Sequence, residues 1–268
     1  MEQTTLGFIG AGNMATAIVN GIVSSGVLPP AQIAVFDVNT EQCAYFAQMG
    51  VQVADTAEQL VQDCQVITLA VKPQNFQEVL TQIKTQATPQ KLFISIAAGI
   101  STDYIRSTLQ CNCPVIRTMP NTPLLLGQGA TAMCRSEGVT DEMFARAEGF
   151  FSCCGTVAEL PEAQMNAVIS VNGSSPAYFY LFAKAMLQSA VEQGITKETA
   201  LPLIAQTLIG SAGMLVYSGK TPQELIDMVS SKGGTTLAAL EVFYQDGLED
   251  TIAQAMRACT KRAEELGK

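Results

Sequence analysis

The sequence predicts an α/β fold, in which an N-terminal domain with a parallel β-sheet is followed by an all-α domain. Two observations carry this prediction. Short apolar runs alternate with helical segments up to about residue 160. After Pro161, apolar residues recur three or four positions apart and strand-like alternation disappears. We therefore expect one domain over residues 1–160 and a helical domain over residues 161–268.

The predicted strands are short apolar runs that end in glycine, proline or a charged residue. They lie at residues 5–10, 33–36, 66–71, 92–96 and 115–118, with helices predicted at 40–49, 75–84 and 101–109. Two more strands, at 129–134 and 155–160, bracket a helix at 141–151. Strands that alternate with helices at this interval form a parallel sheet through right-handed crossovers. In the C-terminal part, breaks at 173–176, 194, 218–219 and 233–234 separate the helices.

The charge composition excludes several classes of function. The chain has 268 residues, 15 basic and 24 acidic side chains, a formal charge of −9, and no histidine or tryptophan. An acidic protein lacks the cations that nucleic acid or an anionic membrane would require. Without histidine, Ser-His-Asp and Cys-His catalysis are impossible and zinc loses its commonest nitrogen ligand, so no metal site is predicted.

The apolar composition predicts association between copies of the chain. Apolar residues make up 48% of the sequence and charged residues only 15%, which leaves few charged groups to cover a solvated surface. Glycine, proline and polar residues interrupt the uncharged stretches at 3–36 and 199–219, so we expect no membrane span. Eight cysteines without a CxxC pair, and no signal peptide, favour a cytoplasmic protein with reduced thiols.

A dinucleotide fingerprint lies between the first predicted strand and helix. Gly10-Ala-Gly-Asn-Met-Ala15 matches G-x-G-x-x-A, in which the first glycine allows a tight turn and the second admits a pyrophosphate. The helix start supplies amide donors for the phosphates. This motif predicts a Rossmann-type domain, the alternative being a purely structural turn.

Asp37 ends the second predicted strand, where a carboxylate accepts hydrogen bonds from both ribose hydroxyls and repels a 2′-phosphate. No lysine or arginine precedes Lys72, which also favours NADH over NADPH. The alternative for Asp37 is a solvated turn carboxylate.

Other strand ends are expected to line the same crevice. Lys72 could bind an anion or be an ordinary surface lysine. The predicted cofactor-binding residues are Ile9, Gly10, Ala11, Gly12, Asn13, Met14, Asp37, Ala70, Val71, Lys72, Pro73, Ala97, Ala98 and Gly99.

A second anion site is suggested by Ser231-Lys-Gly-Gly-Thr-Thr236 at the start of a predicted helix. Small residues with free amides at a helix start form a ready carboxylate site. The alternative is a Ser/Thr cap on an ordinary helix.

Taken together, these motifs resemble those of the pyrroline-5-carboxylate reductase family nearly from end to end. The matching segments are Gly-Phe-Ile-Gly-x-Gly-Asn-Met at 7–14, Ala-Val-Lys-Pro at 70–73, Ser-Ile-Ala-Ala-Gly at 95–99, Arg-x-Met-Pro-Asn-Thr-Pro at 117–123, Gly-Ser-Ser-Pro-Ala-Tyr at 173–178 and Ser-Lys-Gly-Gly-Thr-Thr at 231–236. The resemblance implies hydride transfer from NAD(P)H to a cyclic imine, giving L-proline. It also implies a homodimer or larger homo-oligomer, whose interlocked helical domains complete the active site.

The resemblance further implies roles for the residues of the second motif. Ser231, Gly233, Gly234 and Thr235 would bind the substrate carboxylate, and Thr236 would be the catalytic residue that faces the ring nitrogen. The chain departs from the family at Lys232, commonly proline, and at Asp37, where many members carry serine or threonine and accept NADPH.

Two other functions remain open at this point. A β-hydroxyacid dehydrogenase shares the two-domain plan and uses a lysine on a helical-domain helix, for which Lys184 is the candidate. A non-catalytic NADH-sensing protein would keep the fold, but it would not need a second anion site.

Overall fold

The computed structural model of the protein describes residues 5–267 and contains an eight-stranded sheet flanked by helices. This architecture confirms the predicted α/β fold, with helices alone after the last strand. The strands are β1 Leu6–Ile9, β2 Ile33–Phe36, β3 Gln52–Val53, β4 Val66–Leu69, β5 Leu92–Ser95, β6 Val115–Met119, β7 Gly129–Arg135 and β8 Gly155–Glu159.

The strand order across the sheet is β3-β2-β1-β4-β5-β6-β7-β8. The predicted parallel arrangement holds from β3 to β6. β7 runs antiparallel to β6, and β8 runs parallel to β7. The change of direction follows from the short connection after β6, because neighbouring antiparallel strands need no crossover helix.

Helices cover both faces of the sheet. α1 (Asn13–Ser24), α2 (Thr40–Gln48) and α6 (Asp141–Ser152) contribute Ile18, Phe46 and Phe150 to one buried cluster. α3 (Ala57–Asp63), α4 (Phe76–Ile83) and α5 (Thr102–Leu109) contribute Leu60, Leu80 and Ile105 to a second. The sheet is thus doubly wound, as the alternation of strands and helices predicts.

The sequence does not predict β3 or α3. β3 has two residues, both exposed, so it carries no run of apolar side chains. α3 has seven residues, too few to establish a helical period in the sequence.

The C-terminal part is helical throughout the residues that the structure describes. The helices are α7 Ser175–Glu192, α8 Lys197–Tyr217, α9 Pro222–Val229, α10 Thr235–Gln245 and α11 Leu248–Leu266, and a π-helical turn at Ile169–Gly173 precedes α7. The predicted breaks at 173–176, 194, 218–219 and 233–234 all fall at helix ends.

Within residues 5–267, α8 is long and apolar enough to cross a membrane by length and composition. Only 11% of its most apolar window is buried in the single chain. Its apolar side chains therefore need another surface to cover them, either a protein or a membrane.

The chain packs into two compact units. One comprises the residues up to Pro176 together with those from Arg257 onward, and the other is Ala177–Met256. These units are defined by packing, and the functional division into residues 1–160 and 161–268 stays a prediction.

Candidate active site

Four strands of the first unit end in one row at the same edge of the sheet. Ile9 at the end of β1 is paired with Phe36 of β2 and Leu69 of β4, and Leu69 is paired with Ser95 of β5. The strand order reverses between β1 and β4, which is where open α/β sheets bind ligands. The structure therefore brings the glycine loop, Asp37, the 70–73 turn and the 97–99 loop to the same edge.

The glycine loop begins with a residue that must be glycine. Gly10 has φ +106°, and a Cβ there would lie 2.6 Å from the Ala70 carbonyl oxygen. Its N–H donates to the Phe36 carbonyl at 2.8 Å, which fixes the turn against β2. The close approach of two loops explains the first glycine of the motif.

The start of α1 is open to an anion. Gly12 is its N-cap residue, no side chain caps the helix, and a Cβ at Gly12 would meet nothing within 4 Å. Ala15 is fully buried, so the helix packs closely on the sheet. Free amides, a positive helix end and open space are the features that a pyrophosphate requires, so the residues present fit a dinucleotide.

Asp37 is oriented by two backbone donors. Its Oδ2 accepts a hydrogen bond from the Ala11 N–H at 2.7 Å, and its Oδ1 accepts one from the Asn39 N–H at 2.8 Å. The carboxylate is thus tied to the glycine loop rather than free in solvent. Each oxygen keeps a further lone pair, which could accept a ribose hydroxyl.

The 70–73 turn follows β4. The Ala70 N–H donates to the Ile9 carbonyl at 2.8 Å, which holds this turn beside the glycine loop. Lys72 is exposed and is the N-cap residue of a short 3₁₀ helix, Pro73–Asn75. Among the described residues, Lys72 forms no salt bridge, so its charge remains available to a ligand.

The 97–99 loop contacts the end of α11. A Cβ on Gly99 would lie 2.6 Å from the Ala263 carbonyl oxygen and 3.1 Å from the Leu266 Cβ. Ala263–Leu266 belongs to the same compact unit as the sheet. The last turn of the chain therefore supports a loop of the predicted cofactor site, a contact that sequence reasoning did not find.

A carboxylate anchors the start of α5, just after this loop. Glu162 accepts hydrogen bonds from the Thr102 N–H at 2.7 Å and the Thr102 hydroxyl at 2.6 Å. The buried Arg117 lies 3.9 Å from Glu162 and donates to the Asn166 Oδ1 at 2.5 Å. Burial lowers the pKa of the Arg117 guanidinium.

Two asparagines fix the end of β6 beside this loop. Asn121 donates to the Asn172 carbonyl at 3.1 Å, and the Asn172 amide donates to the carbonyls of Met119 and Ala130 at 2.7 and 2.8 Å. Asn172 Oδ1 is buried and has no partner among the described residues. Sequence reasoning used 117–123 and 173–178 as family motifs but did not assign Asn121 or Asn172, because nothing in the sequence shows which carbonyls they pair with.

The predicted carboxylate segment lies in the second unit, in the turn between α9 and α10. The Gly234 N–H donates to the Ser231 carbonyl at 2.9 Å, which closes the turn. Gly234 is the N-cap residue of α10 and no side chain caps this helix, so the alternative of a Ser/Thr cap does not hold. Ser231, Lys232, Gly233 and Thr235 are exposed and Thr236 is half-buried. The first turn of α10 therefore presents unsatisfied N–H groups beside two threonine hydroxyls.

Two family models match the chain. The model described as pyrroline-5-carboxylate reductase dimerisation matches residues 162–266, and the model described as NADP oxidoreductase, coenzyme F420-dependent, matches residues 5–99. The first covers the helical part and the second covers most of the sheet.

Similar proteins span the whole chain. The pyrroline-5-carboxylate reductase of Escherichia coli is 37% identical over 99% of both chains, and that of Methanosarcina acetivorans is 35% identical over 100% of both. A crystal structure of Plasmodium falciparum pyrroline carboxylate reductase with NADP bound has a TM-score of 0.90, 28% identity and full coverage of both chains. A pyrroline-5-carboxylate reductase from Coxiella burnetii has a TM-score of 0.90 and 33% identity, also over both chains.

A hydroxyacid dehydrogenase is a more distant neighbour. Mycobacterium tuberculosis 3-hydroxyisobutyrate dehydrogenase has 17% identity and a TM-score of 0.52, with 82% of this chain and 72% of that chain covered. At this identity the likeness shows a shared fold alone.

Proposed function

The chain belongs to the pyrroline-5-carboxylate reductase family and reduces 1-pyrroline-5-carboxylate to L-proline with a nicotinamide cofactor, and we propose that this cofactor is NADH in preference to NADPH. The observation that carries the preference is the position of the Asp37 carboxylate. Hydrogen bonds from Ala11 and Asn39 hold it at the glycine loop, where a bound dinucleotide would place its adenosine ribose. A 2′-phosphate would meet this charge in a segment whose first cation is Lys72.

Initial rates with the two cofactors test this preference. A like-charge contact at the ribose costs a few kcal/mol, so kcat/KM should be about 10- to 100-fold higher with NADH. Asp37→Ser should reduce the ratio severalfold, while Glu41→Gln on the exposed first turn of α2 should leave it unchanged. Equal or faster turnover with NADPH would refute the preference and leave the reductase activity intact.

The second part of the proposal is that the start of α10 binds the substrate. The N–H groups of Ser231 and Gly233 would hold the carboxylate of the imine, with Thr235 as a further donor. Gly234, whose own N–H closes the turn on the Ser231 carbonyl, would contribute as the N-cap residue that positions the start of α10. The uncapped helix start and the exposure of this turn support that role. Lys232, exposed in the same turn, adds a positive charge nearby.

Thr236 is proposed as the catalytic residue. When bound, the reduced nicotinamide supplies the hydride that attacks the imine carbon. The imine becomes electrophilic once its nitrogen is protonated, so positioning provides most of the acceleration and a histidine is not needed. The Thr236 hydroxyl would hydrogen-bond the ring nitrogen and relay a proton from water.

The variant Thr236→Ala tests this role. Removal of the hydroxyl should lower kcat about 10- to 100-fold, with the KM for NADH changed by less than about twofold. Thr251→Ala, in the first part of α11, removes an exposed hydroxyl outside the site and should retain normal rates. Unchanged turnover in Thr236→Ala would remove it from the catalytic role.

The chain is a homo-oligomer, since a dimerisation domain covers residues 162–266. We propose that the basic unit is a homodimer held by the apolar surfaces of the helical part, with neither nucleic acid nor a membrane as partner. The role in amino-acid biosynthesis and the eight cysteines without a disulfide support a cytoplasmic location.

A further inference from the structure

Two adjacent cysteines lie at the end of α6, remote in sequence from every residue of the proposed site. The sulfur atoms of Cys153 and Cys154 are 3.5 Å apart. Cys153 is the C-cap residue of α6 and is half-buried, while Cys154 is only 1% exposed. The Cys153 thiol is therefore accessible to a small reagent, and the buried Cys154 thiol lies next to it.

The neighbouring helix α1 leaves space for this cysteine pair. A Cβ at Gly21 of α1 would collide with the Cys154 Sγ, so the absence of a side chain there makes room for this sulfur. The Cys153 thiol donates a hydrogen bond to the Phe150 carbonyl at 3.4 Å, within its own helix, and Ser25, the C-cap residue of α1, donates to the Gly21 carbonyl at 2.7 Å. The pair thus sits in the packing contact between α6 and the helix whose other end carries the glycine loop.

The two thiols differ in acidity because they share a hydrogen bond. The contact with the Cys154 thiol holds the pKa of Cys153 well below its usual range. The same contact, with burial, raises the pKa of Cys154. Cys153, which can attack an oxidant as a thiolate, therefore lies next to the Cys154 thiol, which can then form a disulfide with it.

We propose that Cys153 and Cys154 are a redox-responsive pair that a hydroperoxide converts into a vicinal disulfide. The Cys153 sulfur attacks one peroxide oxygen, the O–O bond breaks, and one water leaves, so that Cys153 becomes a sulfenic acid. The Cys154 sulfur then attacks the Cys153 sulfur, the S–O bond breaks, and a second water leaves with the thiol proton. In sum, two thiols lose two electrons and two protons while one hydrogen peroxide is reduced to two waters.

Ring closure changes the contact with α1. The sulfurs must approach from 3.5 Å to about 2.05 Å, which draws the Cys154 Sγ away from Gly21. A ring between adjacent residues removes almost no chain entropy from the unfolded state, so it offers little stabilisation to offset its strain. The disulfide should therefore lower stability and be readily reduced.

Peptide mapping tests the proposal directly. The full-length protein is treated with hydrogen peroxide and then unfolded in urea, its free thiols are alkylated in the unfolded state, and it is cleaved with trypsin. Cys153 and Cys154 fall in the peptide 147–184, whereas Cys111 and Cys113 fall in 107–117. The first peptide should lose two hydrogen atoms, resist alkylation and recover with dithiothreitol, while the second should be alkylated at both cysteines.

Cys111 and Cys113 serve as an internal control. Burial, together with Cys111, raises the pKa of the Cys113 thiol to about 12, so Cys113 is not activated as a thiolate. Faster oxidation of the 107–117 peptide would overturn the proposal. So would a 147–184 peptide that stays doubly alkylated, or one that carries only a sulfinic acid.

Matched variants complete the test. Cys153→Ser should abolish the change in the 147–184 peptide, and Cys111→Ser should preserve it. Oxidised wild type should melt about 2–4 °C lower than the reduced protein, and Cys153→Ser should show no such drop with peroxide. An equal drop in Cys153→Ser would place the oxidation damage elsewhere and overturn the link to α1. Cys153 is half-buried, so Cys153→Ser is expected to fold even if a substitution of the buried Cys154 prevents folding.

Discussion

The two compact units bury their apolar side chains to very different degrees. The first contains two large clusters, one on each face of the sheet, with side chains such as Phe46, Phe76 and Phe93 fully buried. In the second unit, Ala200 and Ile204 are the only buried hydrophobic residues that the structure describes. Large side chains there are exposed, among them Tyr180, Leu181, Leu203, Ile209 and Val216.

This difference shows where each half obtains its stability. The first unit has a core of its own, as a doubly wound sheet requires. The second has helices whose apolar surfaces must be covered by another molecule, and the match to a dimerisation domain indicates a second copy of the chain. The predicted cofactor loops thus rest on a complete core, whereas the predicted carboxylate turn at 231–236 belongs to the unit whose apolar surfaces are uncovered.

A charge placed on the uncovered surface should have the largest effect. Ile209 on α8 is 64% exposed in the single chain, and Ile209→Glu would put a carboxylate into each copy of a subunit interface. An unpaired buried charge costs about 3–5 kcal/mol. We expect light scattering to show dissociation into protomers, and, if the interlocked helical domains complete the active site as proposed, the imine reductase rate to fall more than about tenfold.

A matched change in the first unit provides the control. Val27, just after α1, is 40% exposed, and Val27→Glu should leave both mass and rate nearly unchanged. A dimeric, active Ile209→Glu enzyme would place the interface away from this surface of α8. A wild-type protein that is extracted only with detergent would instead point to a membrane as the partner of α8.

A smaller effect is expected where the end of the chain returns to the first unit. Gly99→Ala would push a Cβ into the Ala263 carbonyl, and such overpacking costs about 1–3 kcal/mol. Because this loop belongs to the predicted cofactor site, the KM for NADH should rise severalfold while the KM for the imine changes less.

Gly138→Ala is the control for Gly99→Ala, because it separates the effect of the close contact with Ala263 from the effect of a positive φ. Gly138 has φ +89°, similar to the φ +82° of Gly99, but a Cβ there would meet nothing within 4 Å. Its variant should show the strain alone, with a normal KM for NADH. Equal KM values in the two variants would mean that the contact with α11 does not support the cofactor loop.

The elements that the sequence predicted are those whose pattern is local. The turn after β1 and the start of α1 are predicted from three small residues at fixed spacing. In the structure, a side chain at the first of them, Gly10, would collide with Ala70. The residues after Pro161 are predicted to be helical from apolar residues three or four positions apart and from the end of strand alternation, and every predicted break falls at a helix end.

The remaining features depend on partners that are distant along the chain. Glu162 anchors Thr102, which is 60 residues away, and Asn172 donates to Met119, which is 53 residues away. In the sequence, this asparagine and this glutamate cannot be distinguished from ordinary polar residues, because their backbone partners become neighbours only in the folded chain. The direction of β7 is not predicted for a similar reason, since β7 is buried along most of its length like its parallel neighbours and its apolar pattern does not indicate its direction.

The smallest effect should come from a surface ion pair of the first unit. Arg135 donates to Glu159 at 2.7 and 3.1 Å and to Asp141 at 2.6 Å, and its guanidinium lies 4.2 Å from the Phe144 ring centre. Asp141 is almost fully exposed and Glu159 is partly exposed, so Arg135→Met should cost only about 1 kcal/mol in urea unfolding at neutral pH, far less than the core and interface changes.

The pH dependence of this last effect identifies its origin. The hydrogen bond from Arg135 lowers the pKa of Glu159, so the contribution is complete above the usual carboxylate pKa and is lost as the pH falls through the lowered value. The difference between wild type and Arg135→Met should therefore stay constant from about pH 7 to about pH 5 and shrink as the pH falls further. Arg146→Met, whose described polar contact is a 3.4 Å bond to Gln65, should show neither the loss nor the pH dependence. A difference that persists unchanged in acid would assign the effect to packing on Phe144 and leave the ion pair with no measurable part in stability.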